Sequence, residues 1–174
     1  MGAEVGTADD MRSAVREHVE HGVDVIKIMA SGGNLTPGSR PELAQFDPEI
    51  LRVAVDETHR AGLTITAHAH GTPAVAGALL AGVDQLEHVT FMTADGVDPA
   101  PPDLVATIVE RRVNLSLTVG FVPTVDAPPN PMTARLPALL ANLRWLCSSG
   151  APITAGTDAG VTPGKPHDAA RWAV

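Results

Sequence analysis

The chain of 174 residues is poor in aromatic side chains and in cysteine: it contains three Phe, two Trp, no Tyr and one Cys. A single cysteine, Cys147, excludes an internal disulfide framework. The core must therefore be built mainly from Ala, Val, Leu and Ile. We expect a single domain that spans residues 1–174, because a chain of this length can bury roughly 70% of the surface that it exposes when unfolded.

The sequence also lacks an excess of positive charge, a long apolar run and a basic leader followed by an apolar stretch. Its formal net charge is −8 and its pI is about 5.2, which argues against binding to nucleic acid or to an anionic membrane surface. No apolar run reaches about 18 residues, so no membrane span is predicted. Without a leader of that kind, we expect a cytoplasmic location.

Helical and strand-like segments alternate along the chain. Helices are predicted at about 8–21, 47–60, 72–82, 101–112 and 135–147, and apolar strands at about 23–30, 63–69, 83–88, 113–119 and 152–156. Two longer connections, 31–46 and 120–133, are rich in glycine or proline. Connections of this length in a compact domain are usually functional or mobile.

This alternation predicts an α/β fold with a parallel sheet and right-handed crossovers. The strands are almost continuously apolar, as expected when helices cover both faces. Neither G-x-G-x-x-G nor G-x-x-x-x-G-K-[ST] is present, which removes the main support for a nucleotide-binding open sheet. Five β/α units are too few for a complete (β/α)₈ barrel, which takes about 250 residues. An open sheet and part of a barrel remain as alternatives.

Ionisable side chains stand at or near the ends of four predicted strands. The residues are Lys27 in V-D-V-I-K-I-M-A, His68 and His70 in L-T-I-T-A-H-A-H-G, His88 at the end of V-D-Q-L-E-H, and Asp158 after A-P-I-T-A-G-T. An unpaired charge in a buried strand costs free energy, and parallel α/β proteins build their chemistry at the carboxyl ends of strands. Histidine, carboxylate and a modifiable lysine are ligands of hydrolytic divalent-metal centres. This pattern favours part of a metal-dependent hydrolase.

The histidines also have structural explanations. His68 and His70 lie two residues apart, so an extended strand would point both imidazoles to one face, but His70 could equally lie beyond the strand and be solvated. His88 could be a hydrogen-bonded histidine at a strand end, with Glu87 facing the outer layer and paired with a helix.

Lys27 and Asp158 leave similar alternatives open. Asp158 could cap a short following turn. The stem of Lys27 could extend outward between helices. Alternatively, I-K-I-M places the amine between apolar neighbours, where burial would lower its pKa. A neutral lysine amine can react with carbon dioxide to give a carbamate that bridges two metal ions.

The order Lys, His, His, Asp on successive or near-successive strands resembles the amidohydrolase superfamily, and most of all its imidazolonepropionase-like and Xaa-Pro-dipeptidase-like branch. The matching stretches are D-V-I-K-I-M-A-S-G-G, F-D-P-E-I-L, I-T-A-H-A-H-G, A-G-V-D-Q-L-E-H and I-T-A-G-T-D-A-G. The resemblance implies a (β/α)₈ barrel that holds one or two divalent ions, with zinc as the expected metal. It also implies hydrolysis of amide or peptide bonds in a small or dipeptide-like substrate through a metal-activated water.

The resemblance assigns roles residue by residue. It implies that Lys27, His68, His88 and Asp158 are metal ligands on strands 4, 5, 6 and 8 of the barrel. It further implies that Asp158 acts catalytically as the general base, and that His70 is a catalytic residue close to the substrate.

The sequence departs from the family at its N-terminal side. The H-x-H pair of the family's first strand has no counterpart before Lys27, since His18 and His21 lie three apart on a predicted helix. The chain therefore resembles only the C-terminal portion of such a barrel, strands 4 to 8. We expect an incomplete site, and association of the chain with itself or with a missing N-terminal half. A non-catalytic fragment and an unrelated α/β binding domain are the alternatives.

Overall fold

The computed structural model of the protein describes residues 4–34, 36–119, 131–161 and 165–172, with only the backbone described at 131–133. Helices and strands alternate throughout. In chain order they are α1 (Ala8–Glu20), β1 (Val25–Met29), α2 (Pro48–Arg60), β2 (Thr64–Ala69), α3 (Thr72–Ala81), β3 (Gln85–His88), α4 (Pro102–Arg111), β4 (Asn114–Thr118), α5 (Pro131–Ser148), β5 (Ile153–Gly156) and a 3₁₀ helix (Ala169–Trp172).

The five strands form one parallel sheet in the order β1-β2-β3-β4-β5. A doubly wound sheet reverses its strand order at a switch point, whereas a barrel adds each strand next to the preceding one. The sequential order therefore decides between the two alternatives. The chain has the α/β fold of a partial (β/α)₈ barrel, as the sequence predicted.

The two faces of the sheet differ in composition. The face toward the helices is apolar and buried; it includes Ile26, Ile28, Ile65, Ala67, Leu86, Leu115 and Leu117. Because side chains alternate along a strand, the intervening residues occupy the other face, which corresponds to the interior of a barrel. On β1 this inner face carries Val25, Lys27 and Met29, and all three are exposed.

A buried carboxylate connects the first two helices. The side chain of Glu57 on α2 is 6% exposed and accepts hydrogen bonds from Arg12 and Arg16 of α1, at 3.2 and 3.0 Å, and from Arg60 of its own helix. Burial alone would raise the pKa of Glu57, but the hydrogen bonds from Arg16 and Arg60 hold it below its usual value. The carboxylate is therefore charged under ordinary conditions and ties α1 to α2.

The predicted element boundaries hold closely, with two corrections at helix starts. Asp47 occupies the N-cap position of α2 but its side chain makes no capping hydrogen bond. Helix α5 begins at Pro131, before the predicted start near Arg135, so that Pro137 lies inside the helix rather than in its first turn. Most of the predicted connection 120–133, namely residues 120–130, lies outside the described residues.

Within the described part of the chain, no helix is long and apolar enough to cross a membrane.

Candidate active site

Three histidine side chains meet at the carboxyl ends of β2 and β3. The ring centroids of His68, His70 and His88 lie 4.4 to 4.6 Å apart. One ligating nitrogen from each ring lies within 4.8 Å of the others, and all three side chains are buried. We call His68, His70 and His88 the histidine cluster. Imidazole is the commonest metal-ligating side chain in proteins, so the cluster is a candidate metal site.

The alternation of β2 places His68 in the cluster, but alternation alone would keep His88 out of it. Glu87 shares the inner face with Gln85, so the next residue would point toward the helices. Instead His88 has a φ of 73°, and the amide of Val89 donates to the carbonyl of Glu87 at 3.0 Å. This is a γ-turn with positive φ, a strained conformation that costs about 1–3 kcal/mol in a non-glycine residue. It turns the imidazole back to a centroid distance of 4.4 Å from His68.

The alternative in which Glu87 faces the outer layer and pairs with a helix is therefore wrong. The Oε1 of Glu87 accepts hydrogen bonds from Thr66 Oγ1 at 2.8 Å and from Gln85 Nε2 at 2.6 Å, on the inner face. The row continues through Asn114, which donates to Gln85 at 2.6 Å, and Thr154, which donates to Asn114 at 3.2 Å. We call these five residues the inner polar row.

His70 lies one residue beyond β2, yet it is 6% exposed and fully engaged, so the solvated alternative is wrong. Its amide donates to Ser31 Oγ at 3.0 Å, and its Nδ1 lies 2.9 Å from Thr90 Oγ1. Its Nε2 lies 3.3 Å from Asn34 Nδ2. The ring is thus held between the connection after β1 and the segment after β3.

Hydrogen bonds also fix the other two rings. His68 Nε2 lies 3.1 Å from the carbonyl oxygen of Gly32. A carbonyl can only accept, so Nε2 carries the proton and Nδ1 keeps a free lone pair. His88 Nδ1 lies 2.7 Å from Thr118 Oγ1. Metal-binding histidines are usually oriented by such bonds through the nitrogen that does not ligate the ion.

The electrostatics keep the cluster neutral. Burial lowers the pKa of His70 to about 2 and that of His88 to about 3, and the neighbouring imidazoles and Lys165 add to both effects. Burial also lowers the pKa of His68, although the contact with the Gly32 carbonyl opposes it. Neutral imidazole is the form that ligates a metal. The donor chemistry of the cluster therefore fits a divalent ion.

Asp158 joins the cluster from β5. It lies two residues beyond the strand with a φ of 51°. Its Oδ2 is 3.6 Å from His88 Nδ1, and its side chain is 35% exposed. The structure thus brings four of the five residues singled out in the sequence to one place: His68, His70, His88 and Asp158.

Lys27 is the fifth, and its environment differs from the expectation. Ile26 and Ile28 are buried toward the helices, whereas Lys27 points to the inner face and is exposed. The expectation of an amine buried between apolar neighbours is wrong because adjacent side chains of a strand face opposite ways. Lys27 pairs with Thr66, two residue pairs before the pair of Met29 with His68. Its charge still contributes to the lowered pKa of His68.

Sequence reasoning missed the residues that hold the site together. Ser31, Thr90 and Thr118 are small hydroxyl residues at strand ends, and no spacing distinguishes them from other serines and threonines. Lys165 is 5% exposed and donates from Nζ to the carbonyl oxygen of Thr118 at 2.7 Å. The chain contains only one other lysine, Lys27.

Comparison with known proteins places these features in context. The sequence model of the amidohydrolase family matches residues 3–173. The ochratoxinase of Aspergillus niger is 42% identical over 83 residues, which is 48% of this chain and 17% of the ochratoxinase. An uncharacterized protein of Mycobacterium bovis is 29% identical over 164 residues, 91% of this chain and 43% of that protein.

Solved structures agree with the sequence matches. The A. niger ochratoxinase superposes with a TM-score of 0.75 at 28% identity, covering 88% of this chain and 35% of the ochratoxinase. A Xaa-Pro dipeptidase with bound methionine gives 0.73 at 26% identity, covering 92% and 40%. Molinate hydrolase gives 0.72 at 26% identity, covering 90% and 34%. The chain spans less than half the length of each of these relatives.

Proposed function

The chain belongs to the amidohydrolase family, and we propose that it carries part of the catalytic centre of a metal-dependent hydrolase that cleaves amide or peptide bonds. The observation that carries this proposal is the histidine cluster, with three buried imidazoles whose ligating nitrogens lie within 4.8 Å of one another. The chain covers 35% and 40% of two of the solved structures that it matches. The activity is therefore proposed for the whole protein.

The proposed metal ligands are Lys27, His68, His88 and Asp158, and the proposed ion is Zn²⁺, alone or as a pair. Imidazole and carboxylate are usual zinc ligands. When bound, such an ion would lower the pKa of a water molecule toward about 7 and polarise a carbonyl group. Support comes from the orientation of His68, whose Nδ1 lone pair is left available by the contact of Nε2 with Gly32.

Asp158 is the proposed general base. Its carboxylate contacts His88 on one side and is 35% exposed on the other, so it can reach a water molecule. A carboxylate within hydrogen-bonding reach of that water can take its proton as the water attacks the amide carbon, and can return the proton to the leaving amine.

His70 has two candidate roles. We propose that it is a catalytic residue that positions the substrate, since Thr90 and Ser31 fix it beside the cluster. The proximity of its nitrogen to those of His68 and His88 also favours a role as a third imidazole ligand. Removal of a ligand weakens metal binding, whereas removal of a substrate contact leaves metal binding intact.

The connection after β1 forms one wall of the proposed substrate site. A Cβ on Gly33 would lie 3.8 Å from the His68 ring, and the amide of Gly71 donates to the carbonyl of Pro41 at 3.0 Å. The segment is thus held against the cluster. A small or dipeptide-like substrate is proposed, supported by the similarity to a Xaa-Pro dipeptidase.

We further propose that the centre needs more protein than this chain. Among the described residues, β1 and β5 have no pairing partner on their outer sides. The missing surface could come from an N-terminal half or from a second copy of the chain. The alternative is a fragment that binds metal weakly and has no activity of its own.

Metal titration tests the proposal. Purified chain would be titrated with Co²⁺, an absorbing substitute for Zn²⁺, and dialysed samples would be analysed for metal. We expect loose binding, with well under one equivalent retained, and its loss in His68→Ala and His88→Ala. The matched control is His59→Ala, an exposed histidine paired with Asp84 away from the site. Equal Co²⁺ binding by all variants would contradict a metal site at the cluster.

Hydrolysis assays then separate a partial enzyme from an inactive fragment. Dipeptides, including Xaa-Pro, would be supplied to the chain alone and after co-expression with the N-terminal part of an amidohydrolase relative. Activity that needs both parts and is lost in Asp158→Asn supports a shared centre. Absence of activity in a complex that binds metal tightly would support the inactive fragment.

A further inference from the structure

Lys165 is a buried cation that the proposed mechanism does not use. It is 5% exposed, although an ammonium group in a low-dielectric environment is costly unless it is paired. Its Nζ donates to the carbonyl oxygen of Thr118 at 2.7 Å, at the end of β4. A buried lysine so close to a cluster of titratable groups calls for a functional explanation.

Thr118 connects this lysine to the histidine cluster. Its hydroxyl lies 2.7 Å from His88 Nδ1, while its carbonyl accepts the hydrogen bond from Lys165. Thr118 is also level with Gly156, the last residue of β5. The segment 157–161 therefore leaves the sheet beside Thr118.

The same segment carries Asp158, and the backbone of Lys165 is hydrogen-bonded to it. The amide of Gly160 donates to the backbone carbonyl of Lys165 at 2.6 Å, and the amide of Val161 donates to that of Asp158 at 3.3 Å. Lys165 thus holds the segment through its backbone and fastens it to β4 through its side chain. The attachment matters because β5 is an outer strand whose residues are largely exposed.

The charges agree with this arrangement. Burial lowers the pKa of Lys165, and the nearby Asp158 carboxylate opposes that shift. The lysine also contributes to the lowered pKa values of His70 and His88. Lys165 is therefore close enough to interact electrostatically with both the Asp158 carboxylate and the imidazoles.

We propose that Lys165 is a positioning residue, whose bond to the Thr118 carbonyl holds segment 157–161, and with it the Asp158 carboxylate, against His88. The placement of Asp158 is a geometric statement about this chain. Its consequence for metal binding and catalysis rests on the proposed function. Lys165 itself touches neither metal nor substrate in this proposal.

The test uses three variants of the intact chain. Lys165→Met removes the charge and the donors at similar length, Lys165→Arg keeps both, and Arg171→Met is the matched control. Arg171 is an exposed cation of the same C-terminal stretch that pairs with Asp168. Hydrogen exchange is followed at the amides of Gly160 and Val161.

For Lys165→Met we expect exchange at the two amides to accelerate by about tenfold, with little change in the strands, because only the segment loses its anchor. Lys165→Arg and Arg171→Met should resemble the wild type. Acceleration spread evenly over the whole chain would indicate a merely structural lysine and would overturn the proposal. So would unchanged exchange in Lys165→Met.

Co²⁺ titration tests whether the lysine acts through the aspartate. Lys165→Met should weaken Co²⁺ binding by about as much as Asp158→Asn and shift the absorption spectrum in the same way, and the double variant should be no worse than Asp158→Asn alone. Additive losses would contradict a positioning role. If the wild type binds no Co²⁺, the proposed function fails, while hydrogen exchange still decides the role of Lys165.

Discussion

The hydroxyl oxygen of Thr118 lies 2.7 Å from Nδ1 of His88, so a β4 side chain orients an imidazole that comes from β3. The backbone of His88 is turned by a positive φ of 73°. Two neighbouring strands therefore cooperate to aim one ring at the histidine cluster, and the orientation can be tested by removing the hydroxyl.

Thr118→Val should leave the fold intact and weaken metal binding. The substitution keeps the branched shape but removes the hydroxyl that contacts His88 Nδ1, and loss of such an orienting group typically lowers metal affinity by about 10–100-fold. Co²⁺ titration and urea unfolding would be measured together. Thr107→Val is the control, because its hydroxyl donates to the Asp103 carbonyl within α4, away from the histidine cluster. Equal Co²⁺ affinity in both variants would show that the Thr118 hydroxyl does not orient a ligand.

The metal-free chain should lose stability as pH falls from 6.5. In the unfolded chain histidines bind protons near pH 6.5, whereas His70 and His88 stay neutral in the folded chain until the pH nears 2 and 3. Below pH 6.5 the unfolded state binds more protons than the folded state. Each histidine therefore lowers the free energy of unfolding by up to about 1.4 kcal/mol for every pH unit below 6.5, and this loss is absent above pH 6.5.

The measurement is the free energy of unfolding at pH 6.5 and 4.5 in the presence of a chelator. An ordinary glutamate carboxyl is half protonated at pH 4.5, so the comparison of variants isolates the contribution of the two histidines. A His70→Gln/His88→Asn double variant should show a smaller loss than the wild type, and His59→Gln should match the wild type. An unchanged slope in the double variant would mean that other groups cause the dependence.

Glu57→Gln should destabilise the chain more than Asp56→Asn, its exposed neighbour on the same helix. The substitution removes the negative charge of Glu57, with which Arg12, Arg16 and Arg60 all form ion pairs. Because the pKa of Glu57 is lowered on folding, its contribution is present above about pH 4.5 and is lost as the pH falls through the lowered value. Urea midpoints at pH 7 and pH 3 would show a gap between the two variants that narrows in acid. A constant gap would contradict this.

The two lysines should differ in their reactivity toward amine-modifying reagents. Lys27 is exposed and is expected to be a free amine in this chain, whereas Lys165 is 5% exposed and bonded to Thr118. Brief labelling followed by mass spectrometry of the peptides should find Lys27 modified first by about tenfold or more, since labelling of a buried amine requires local opening. Comparable labelling of both would contradict the burial of Lys165. Denatured chain provides the reference in which both react equally.

The isolated chain should not be a stable monomer at micromolar concentration. The inner face of β1 exposes Val25 by 48% and Met29 by 41%, and the outer strands have edges that can pair with other chains. Sedimentation should show association that Val25→Lys reduces. Leu80→Lys changes an apolar residue that is 59% exposed on α3, far from the sheet edge, and should have no effect. A compact monomer at all concentrations would overturn the expectation.

Much of this arrangement could be predicted because it depends on periodic patterns. Apolar runs separated by helical segments predicted five parallel strands, and the two-residue spacing of His68 and His70 predicted a shared face on β2. The spatial order of the strands, which separates a barrel from an open sheet, came only from the structure. The position of His88 could not be obtained that way, because the γ-turn that redirects it has no signature in Q-L-E-H-V. The burial of Lys165 depends on a contact 47 positions away in the sequence, with Thr118. Local patterns carry no information about such pairs.

The inner polar row has a consequence for any surface that packs against this face of the sheet. Thr66, Gln85, Glu87, Asn114 and Thr154 present donors and acceptors in a fixed lateral sequence across four strands. These groups already pair with one another, so an apolar surface that covered them would leave only their remaining donors and acceptors without a partner, at a cost of about 1–3 kcal/mol for each. A surface that packs against the inner polar row should therefore place hydrogen-bonding groups opposite these side chains. We therefore expect this face to associate less favourably with apolar surfaces than with surfaces that supply hydrogen-bonding groups.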